Sequence, residues 1–265
     1  MKSGILVNYI PPSLETLVPT EYQQPLISNR LSTKVLLYNE ATYPNGAPVK
    51  NLWELTEPKW KGKVFMVDPL QRGDYLDLMV EIILHSDDMA KAYEQLYKKP
   101  IQLDVGTSNA GEMWIYRLLN NNAVLVKDQN GVYSAIGEVG QDQPPVGFGS
   151  YNDIRSNKEK GFALQIANDV VPSSGYIFPA VMGIVKNAQN PNAAKLLLTF
   201  MMGDDSPNGG TGFAPFYIPG DYPTRTDIKG HPDALPRERL RAWSMNPVKT
   251  YEVRQHIADL ILKWE

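Results

Sequence analysis

The sequence predicts an α/β fold built on buried parallel strands, and three observations carry that prediction. Residues 64–67, 123–126 and 145–148 form short continuous apolar runs of the kind that strands buried on both faces require. Each run ends in a polar turn: Asp68-Pro69 leading to Gln71-Arg72-Gly73, Lys127-Asp128-Gln129-Asn130, and Gly149-Ser150-Tyr151-Asn152. Apolar residues at helical spacing follow the first turn, as Leu76, Met79, Val80, Ile83 and Leu84, and a second helix is expected over 132–139. Such loops gather at the carboxyl edge of an open α/β sheet, where ligands bind.

The other elements follow the same logic in chain order. Residues 4–9 read as a short extended segment that stops at Pro11-Pro12. Residues 34–38 form a β-branched and aromatic strand, and Pro44-Asn45-Gly46 a turn. Asn51 with Glu54 three residues on is a capping box for a short helix carrying Leu52, Trp53 and Leu55, which Pro58 discourages from continuing. Helices are expected over 87–98, with Lys98 and Lys99 suiting its carboxyl end, and over 106–122, capped by Thr107 or Ser108. Pro172-Ser173-Ser174-Gly175-Tyr176 is a fourth polar turn before the apolar run 179–185. Asn190-Pro191 opens a helix through Phe200, with Asn as cap and Pro at the first position. Residues 203–222 read as a long irregular loop, and residues 251–264 as a closing helix with Val253, Ile257, Leu260, Ile261 and Trp264 on one face.

Composition narrows the function. The 265 residues suffice for one large or two modest domains, and 43% hydrophobic with 21% charged residues is the mixture of an ordinary globular protein. A net charge of -3 without a basic tract argues against nucleic acid. No apolar run approaches the length that crosses a bilayer, and the opening MKSGILVNYIPP has too short an apolar core for a secretory signal. With no cysteine, disulfides, thiolate metal sites and Cys nucleophiles are excluded.

Catalytic patterns are weak. His85, His231 and His256 are far apart and outside any H-E-x-x-H pattern. Ser150 lacks the glycine pattern of a nucleophile elbow, Gly147-x-Gly149 lacks the third glycine of a dinucleotide site, and Asp128–Gly131 is better explained as a turn than as a calcium loop. Binding residues are the better candidates: Gln71, Arg72 and Gly73 at the first strand end, Lys127, Gln129 and Asn130 at the second, Ser150 and Tyr151 at the third, and Ser173 and Ser174 in the fourth turn. Arg72 carries the sharpest argument. A cation in the first turn of a helix opposes the dipole, and a bound anion would reverse that effect. Trp53 and Trp60 read as packing residues.

The stretch from Trp53 through Glu57-Pro58-Lys59-Trp60-Lys61-Gly62-Lys63-Val64 to Asp68-Pro69 resembles the periplasmic solute-binding proteins of ABC importers, in the branch that contains ferric-ion-binding proteins. The resemblance continues at Val35-Leu36-Leu37-Tyr38-Asn39, at Gly137-Glu138, at Pro145–Gly149 and over 180–200, in the family's order. It implies a type II periplasmic-binding-protein fold of two lobes (a Venus flytrap): residues 1–37 the remainder of lobe one, 38–172 lobe two, 173–240 the return to lobe one, and 241–265 a C-terminal helix packing on a lobe. The family's opening βα units have no counterpart before residue 4, so lobe one is expected to be incomplete. Any apolar surface those units would cover is then expected to need another copy of the chain or a swapped element.

The implied function is capture of a small anionic or polar solute for presentation to a membrane permease, outside the cytoplasm, with no cofactor and no catalysis. Two alternatives stand beside it: a ferric-ion carrier of the same family, and an α/β enzyme acting on phosphorylated small molecules. A ligand-sensing receptor domain would share the binding physics. Against iron stands the donor set. The family's iron carriers hold the metal with two adjacent tyrosines near the third strand end, where this chain has Ser150-Tyr151, and no Tyr-Tyr pair occurs in it.

Overall fold

The computed structural model describes residues 4–264. The chain divides into two compact units, a smaller one of residues 1–33 and 178–240 and a larger one of residues 34–177 and 241–265. The elements of the first half are β1 (Leu6–Val7), β2 (Ser28–Asn39), β3 (Val64–Val67), α1 (Gly73–Leu84), α2 (Ser86–Tyr97), α3 (Ala110–Asn120), β4 (Val124–Val126) and α4 (Gln129–Gly137). Those of the second half are β5 (Val146–Gly149), α5 (Ser156–Lys160), β6 (Leu164–Ile166), β7 (Gly175–Val181), β8 (Ile184–Val185), α6 (Pro191–Met201), α7 (Gly210–Phe213), β9 (Tyr222–Pro223), β10 (Trp243–Ser244) and α8 (Pro247–Trp264).

The larger unit is built on a sheet with strand order β10-β7-β2-β5-β3-β4. β3 runs parallel to both β4 and β5, whereas β2 runs antiparallel to β5 with Val35 opposite Gly149. The sheet is therefore mixed. This register puts the carboxyl ends of β3, β4 and β5 on one edge, together with Lys34, the residue of β2 that precedes Val35. Gly147 and Gly149 permit the tight strand packing there: a Cβ on Gly147 would lie 2.3 Å from the Phe65 carbonyl oxygen, and one on Gly149 would lie 2.5 Å from Tyr133 Cε1. What the sequence offers as a fragment of a nucleotide motif is thus a requirement for close approach.

Local physics explains the boundaries. The Asn51 side chain accepts from Trp53 N at 3.0 Å while Glu54 Oε1 accepts from Asn51 N at 3.0 Å, which closes the expected capping box. Asn109, not Thr107 or Ser108, caps α3, its Oδ1 accepting from Glu112 N at 2.9 Å. Asp128 caps α4 and starts it at Gln129, ahead of the expected 132. Asn246 likewise accepts from Val248 N and Lys249 N and starts α8 at Pro247. Asn190 makes no side-chain cap bond, so the start of α6 rests on Pro191. β4 is only half-buried, as the edge position dictates, and is not the fully buried strand its apolar run implied.

β2 is longer than the expected 34–38 because polar residues of its first half are buried and bonded. Ser28 Oγ donates to the Ala180 carbonyl at 3.0 Å, and Asn29 Nδ2 to that of Met201 at 3.3 Å. In the smaller unit this half pairs with β9, and β1 pairs with β8. Leu14, Val18, Ile27, Ile184, Leu198 and Met202 form that unit's core. The 203–222 segment is not wholly irregular, since it contains α7 and a 3-10 turn over 214–216. Among the described residues no helix is long and apolar enough to cross a membrane.

Candidate functional site

The carboxyl edge of the larger unit's sheet carries a connected set of polar side chains. Lys34 is fully buried, and its Nζ lies 2.8 Å from Asp74 Oδ2 and 3.0 Å from Ser150 Oγ, above the Tyr75 ring at 4.5 Å from the centroid. Asp74 stands in the first turn of α1, where a carboxylate suits the helix dipole, and its other oxygen accepts from Arg72 Nε at 2.9 Å. One carboxylate thus holds two cations. Burial pulls the Lys34 ammonium down from its ordinary pKa, opposed by Asp74. Burial alone would raise Asp74, but Lys34 and Arg72 beside it hold its carboxyl below the usual range.

The second half of the network comes from α4 and the end of β5. Gln129 Nε2 donates to Tyr133 Oη at 2.6 Å and to Ser150 Oγ at 3.2 Å, and Ser150 N donates to Tyr133 Oη at 3.1 Å. The Tyr133 hydroxyl in turn donates to Asp153 Oδ2. Burial and the neighbouring Asp153 push the Tyr133 phenol far up, and burial does the same for Tyr75 and Tyr176, so all three stay protonated donors at neutral pH. Tyr75 Oη donates to the Phe148 carbonyl at 2.9 Å and Tyr176 Oη to that of Asp74 at 2.7 Å, which fixes the backbone on either side of the edge.

Arg72 differs from its neighbours. It is half-exposed, and among the described residues its Nε makes the side chain's one hydrogen bond, with neither Nη group of the guanidinium fork in one. A planar fork beside a carboxylate that already balances one cation can take a carboxylate or phosphate in bidentate fashion.

Of the residues expected from sequence, the structure brings Arg72, Gln129 and Ser150 into this network. Tyr151 is buried next to Ser150 at the start of a 3-10 turn. Gln71 is exposed and donates to Asp68 Oδ2 at 2.7 Å, and Gly73 lies against the Arg254 guanidinium. Lys127 and Asn130 are exposed, the latter accepting from Lys160 Nζ at 3.2 Å. Ser173 and Ser174 are buried, and both hydroxyls donate to the Arg241 carbonyl, at 3.2 and 2.8 Å, as ties for the segment leading into β10. Sequence reasoning missed Lys34, Asp74, Tyr133 and Asp153. The available signal was Lys34 itself, a lone cation in an apolar strand, which needs a buried partner.

A cavity of about 550 Å³ opens in the smaller unit, walled by Tyr22, Tyr222, Pro223, His231 and Pro236. Its arginines are engaged by the chain: Arg237 donates to Tyr22 Oη at 2.7 Å, and Arg225 is held by Asp227. None of the strand-end residues lines it. Size alone does not outweigh the unengaged fork of Arg72.

Residues 12–206 match the family model described as bacterial extracellular solute-binding protein. No curated protein matches the sequence. Among solved structures, iron-bound HitA from Pseudomonas aeruginosa superposes with a TM-score of 0.72 at 18% identity, covering 99% of this chain and 77% of that one. The periplasmic binding protein AfuA from Actinobacillus pleuropneumoniae, with exogenous fructose-6-phosphate bound, gives 0.67 at 19% identity, covering 99% and 76%. The Trichodesmium protein IdiA (FutA) in complex with iron and citrate gives 0.61 at 15% identity, covering 99% and 78%. At these identities the likeness is one of fold, the α/β fold of type II periplasmic binding proteins.

Proposed function

Because the chain belongs to the family of bacterial extracellular solute-binding proteins, whose members bind small solutes and work with ABC permeases, we propose that it captures a small anionic solute at the strand-end network of its larger unit. It then presents that solute to a permease on the outer side of the cytoplasmic membrane, in the periplasm where the cell has one. The observation that carries the anionic reading is the half-exposed guanidinium of Arg72, bonded to Asp74 through Nε with its Nη fork unengaged among the described residues. Gln129 and Ser150 supply neutral polar contacts beside it, and Lys34, already paired with Asp74, adds positive potential from beneath. Within the network Ser150 Oγ accepts from Lys34 and Gln129, and Lys34 is held in turn by Asp74. The sugar phosphate in AfuA is the kind of ligand that such a fork fits.

Iron is the competing cargo, favoured by the metal in HitA and IdiA. Here Ser150, not a second tyrosine, precedes Tyr151, and among the described residues no group of three or more His, Asp or Glu could hold a metal ion. We therefore expect no tight ferric binding by the chain itself. The test combines native mass spectrometry of freshly purified protein with titration of fructose 6-phosphate, inorganic phosphate and citrate. Stoichiometric binding without turnover supports the carrier, and turnover of the phosphoester supports an enzyme. A strong visible tyrosinate-to-iron band on adding ferric citrate, lost in Tyr151→Phe, restores the iron carrier.

A further inference from the structure

A second guanidinium stands beside the amino end of α1. Arg254, from α8, lies against Gly73, the residue next to Arg72, and its Nη2 occupies the space that a Cβ there would need. Gly73 has no left-handed backbone to demand glycine, so what the missing side chain permits is the close approach of the guanidinium. Each arginine is anchored at Nε by a carboxylate of α1, Arg72 by Asp74 at 2.9 Å and Arg254 by Asp77 at 3.2 Å, and residues three apart on a helix are neighbours. Arg254 is not held as a structural clasp would be. Arg117 grips Asp104 with Nε at 2.6 Å and Nη2 at 2.8 Å. Asp77 Oδ1, by contrast, is buried and makes no hydrogen bond, so its pair with Arg254 rests on charge, and among the described residues no side-chain N–H of Arg254 is used. α8 has other ties to the unit: Thr250 Oγ1 donates to Glu81 Oε1 at 2.8 Å, and Ile257 and Ile261 are fully buried.

From this geometry we propose that Arg254 is a second ligand-binding guanidinium, and that Arg72 and Arg254 together select a phosphoryl group over a carboxylate. In this assignment, which rests on the anion site proposed at Arg72, the two forks flank Gly73 with their Nη groups unspent. One planar fork saturates the two oxygens of a carboxylate. A phosphoryl group offers three acceptor oxygens and close to two charges, so it gains from a second guanidinium what a carboxylate does not. The 38% exposure of the Arg254 side chain leaves it within reach of a solute.

Isothermal titration of the full chain with inorganic phosphate, fructose 6-phosphate and gluconate, a hexose-derived carboxylate, tests this. Arg254→Ala should bind the phosphates about tenfold more weakly or worse, and gluconate less than about threefold more weakly. Gly73→Ala is expected to fold as stably as the wild type, since alanine suits a helix and the far end of the arginine can swing aside, yet to lose phosphate affinity as Arg254→Ala does. Placed in the Arg254→Ala background, Gly73→Ala should then cost nothing further. A wild type that binds none of the three anions, or binding indifferent to Arg72→Ala, would overturn the anion site and the role of Arg254 with it. Where the wild type binds and Arg72→Ala weakens it, three results would overturn the role of Arg254 alone: phosphate affinity unchanged in Arg254→Ala, equal losses for phosphate and gluconate, or a full further loss from Gly73→Ala in the Arg254→Ala background.

Discussion

Among the described residues each unit buries one cation, and the two are buried to different ends. In the smaller unit every N–H of Arg225 is used by its own chain: Nε and Nη2 grip both oxygens of Asp227 at 3.0 and 2.6 Å, Nη1 donates to the Gly203 carbonyl at 2.6 Å and reaches that of Met202, and Asp205 stands 3.5 Å from Nη2. Those bonds raise its pKa and tie the loop after α6 to the segment just beyond β9. In the larger unit Lys34, whose pKa burial lowers, shares its carboxylate with Arg72, whose remaining donors make no hydrogen bond among the described residues. A cation saturated by backbone and one carboxylate is a structural clamp. Where a buried cation hands its partner on to an exposed guanidinium, the network is open on one side and can accept a ligand.

The sharpest break of this contrast is a pair of substitutions. Arg225→Ala should lower the unfolding free energy by roughly 3–4 kcal/mol, since it strands two carbonyls and unpairs Asp227, and denaturant titration should detect this with solute affinity unchanged. Lys34→Met should cost less, about 2–3 kcal/mol, because Asp74 keeps Arg72, yet it should reduce solute affinity at least tenfold. Equal affinity losses in the two variants would erase the distinction.

A different contrast lies on the face where α1 meets α8. Burial first of all, with Asp77 adding to it against the Thr250 hydroxyl at 2.8 Å, lifts the Glu81 carboxyl to about 7. His85 also faces it, 3.7 Å from Oε2. The folded state holds this proton between pH 4.5 and about 7, where the unfolded chain has released it, so the contribution is present at low pH and lost as pH rises through about 7. Asp74 has the opposite sign, its contribution disappearing as pH falls through its depressed pKa. Glu81→Gln should therefore be near neutral at acid pH and stabilising by about 3 kcal/mol above neutrality, measured as unfolding free energy against pH. A smaller effect is expected at the capping box. Asn51→Ala removes the bonds to Trp53 N and to the Ala92 carbonyl and should cost about 1–2 kcal/mol without touching affinity.

The legible parts of the fold were those set by local rules. The Asn51–Glu54 box, the run of β3 and the start of α1 follow from residues within a few positions of one another. β2 extends beyond 34–38 because the polar Ser28 and Asn29 are satisfied by carbonyls some 150 to 170 residues away in sequence. The same holds for the site. Arg72, Gln129 and Ser150 could be reached from strand-end logic, whereas Lys34 meets Ser150 only through the antiparallel register of β2 and β5. Ser173 and Ser174 look identical in sequence to site serines, yet Ser173 donates to the nearby Gly175 carbonyl at 2.7 Å and Ser174 to the Arg241 carbonyl, which reaches it only through the fold. Composition likewise marks α6 as a helix without telling which of its leucines lie under a neighbour.

The central claim is that the open side of the Lys34–Asp74–Arg72 network takes an anion, and isothermal titration of the wild type and Arg72→Ala with fructose 6-phosphate, citrate, inorganic phosphate and neutral fructose tests it most directly. The account predicts that at least one of the anions binds stoichiometrically, that neutral fructose binds much more weakly, and that Arg72→Ala loses roughly 1.5–3 kcal/mol of the anion's binding free energy. Anion affinity unchanged in Arg72→Ala, or fructose binding as tightly as its phosphate, would contradict it.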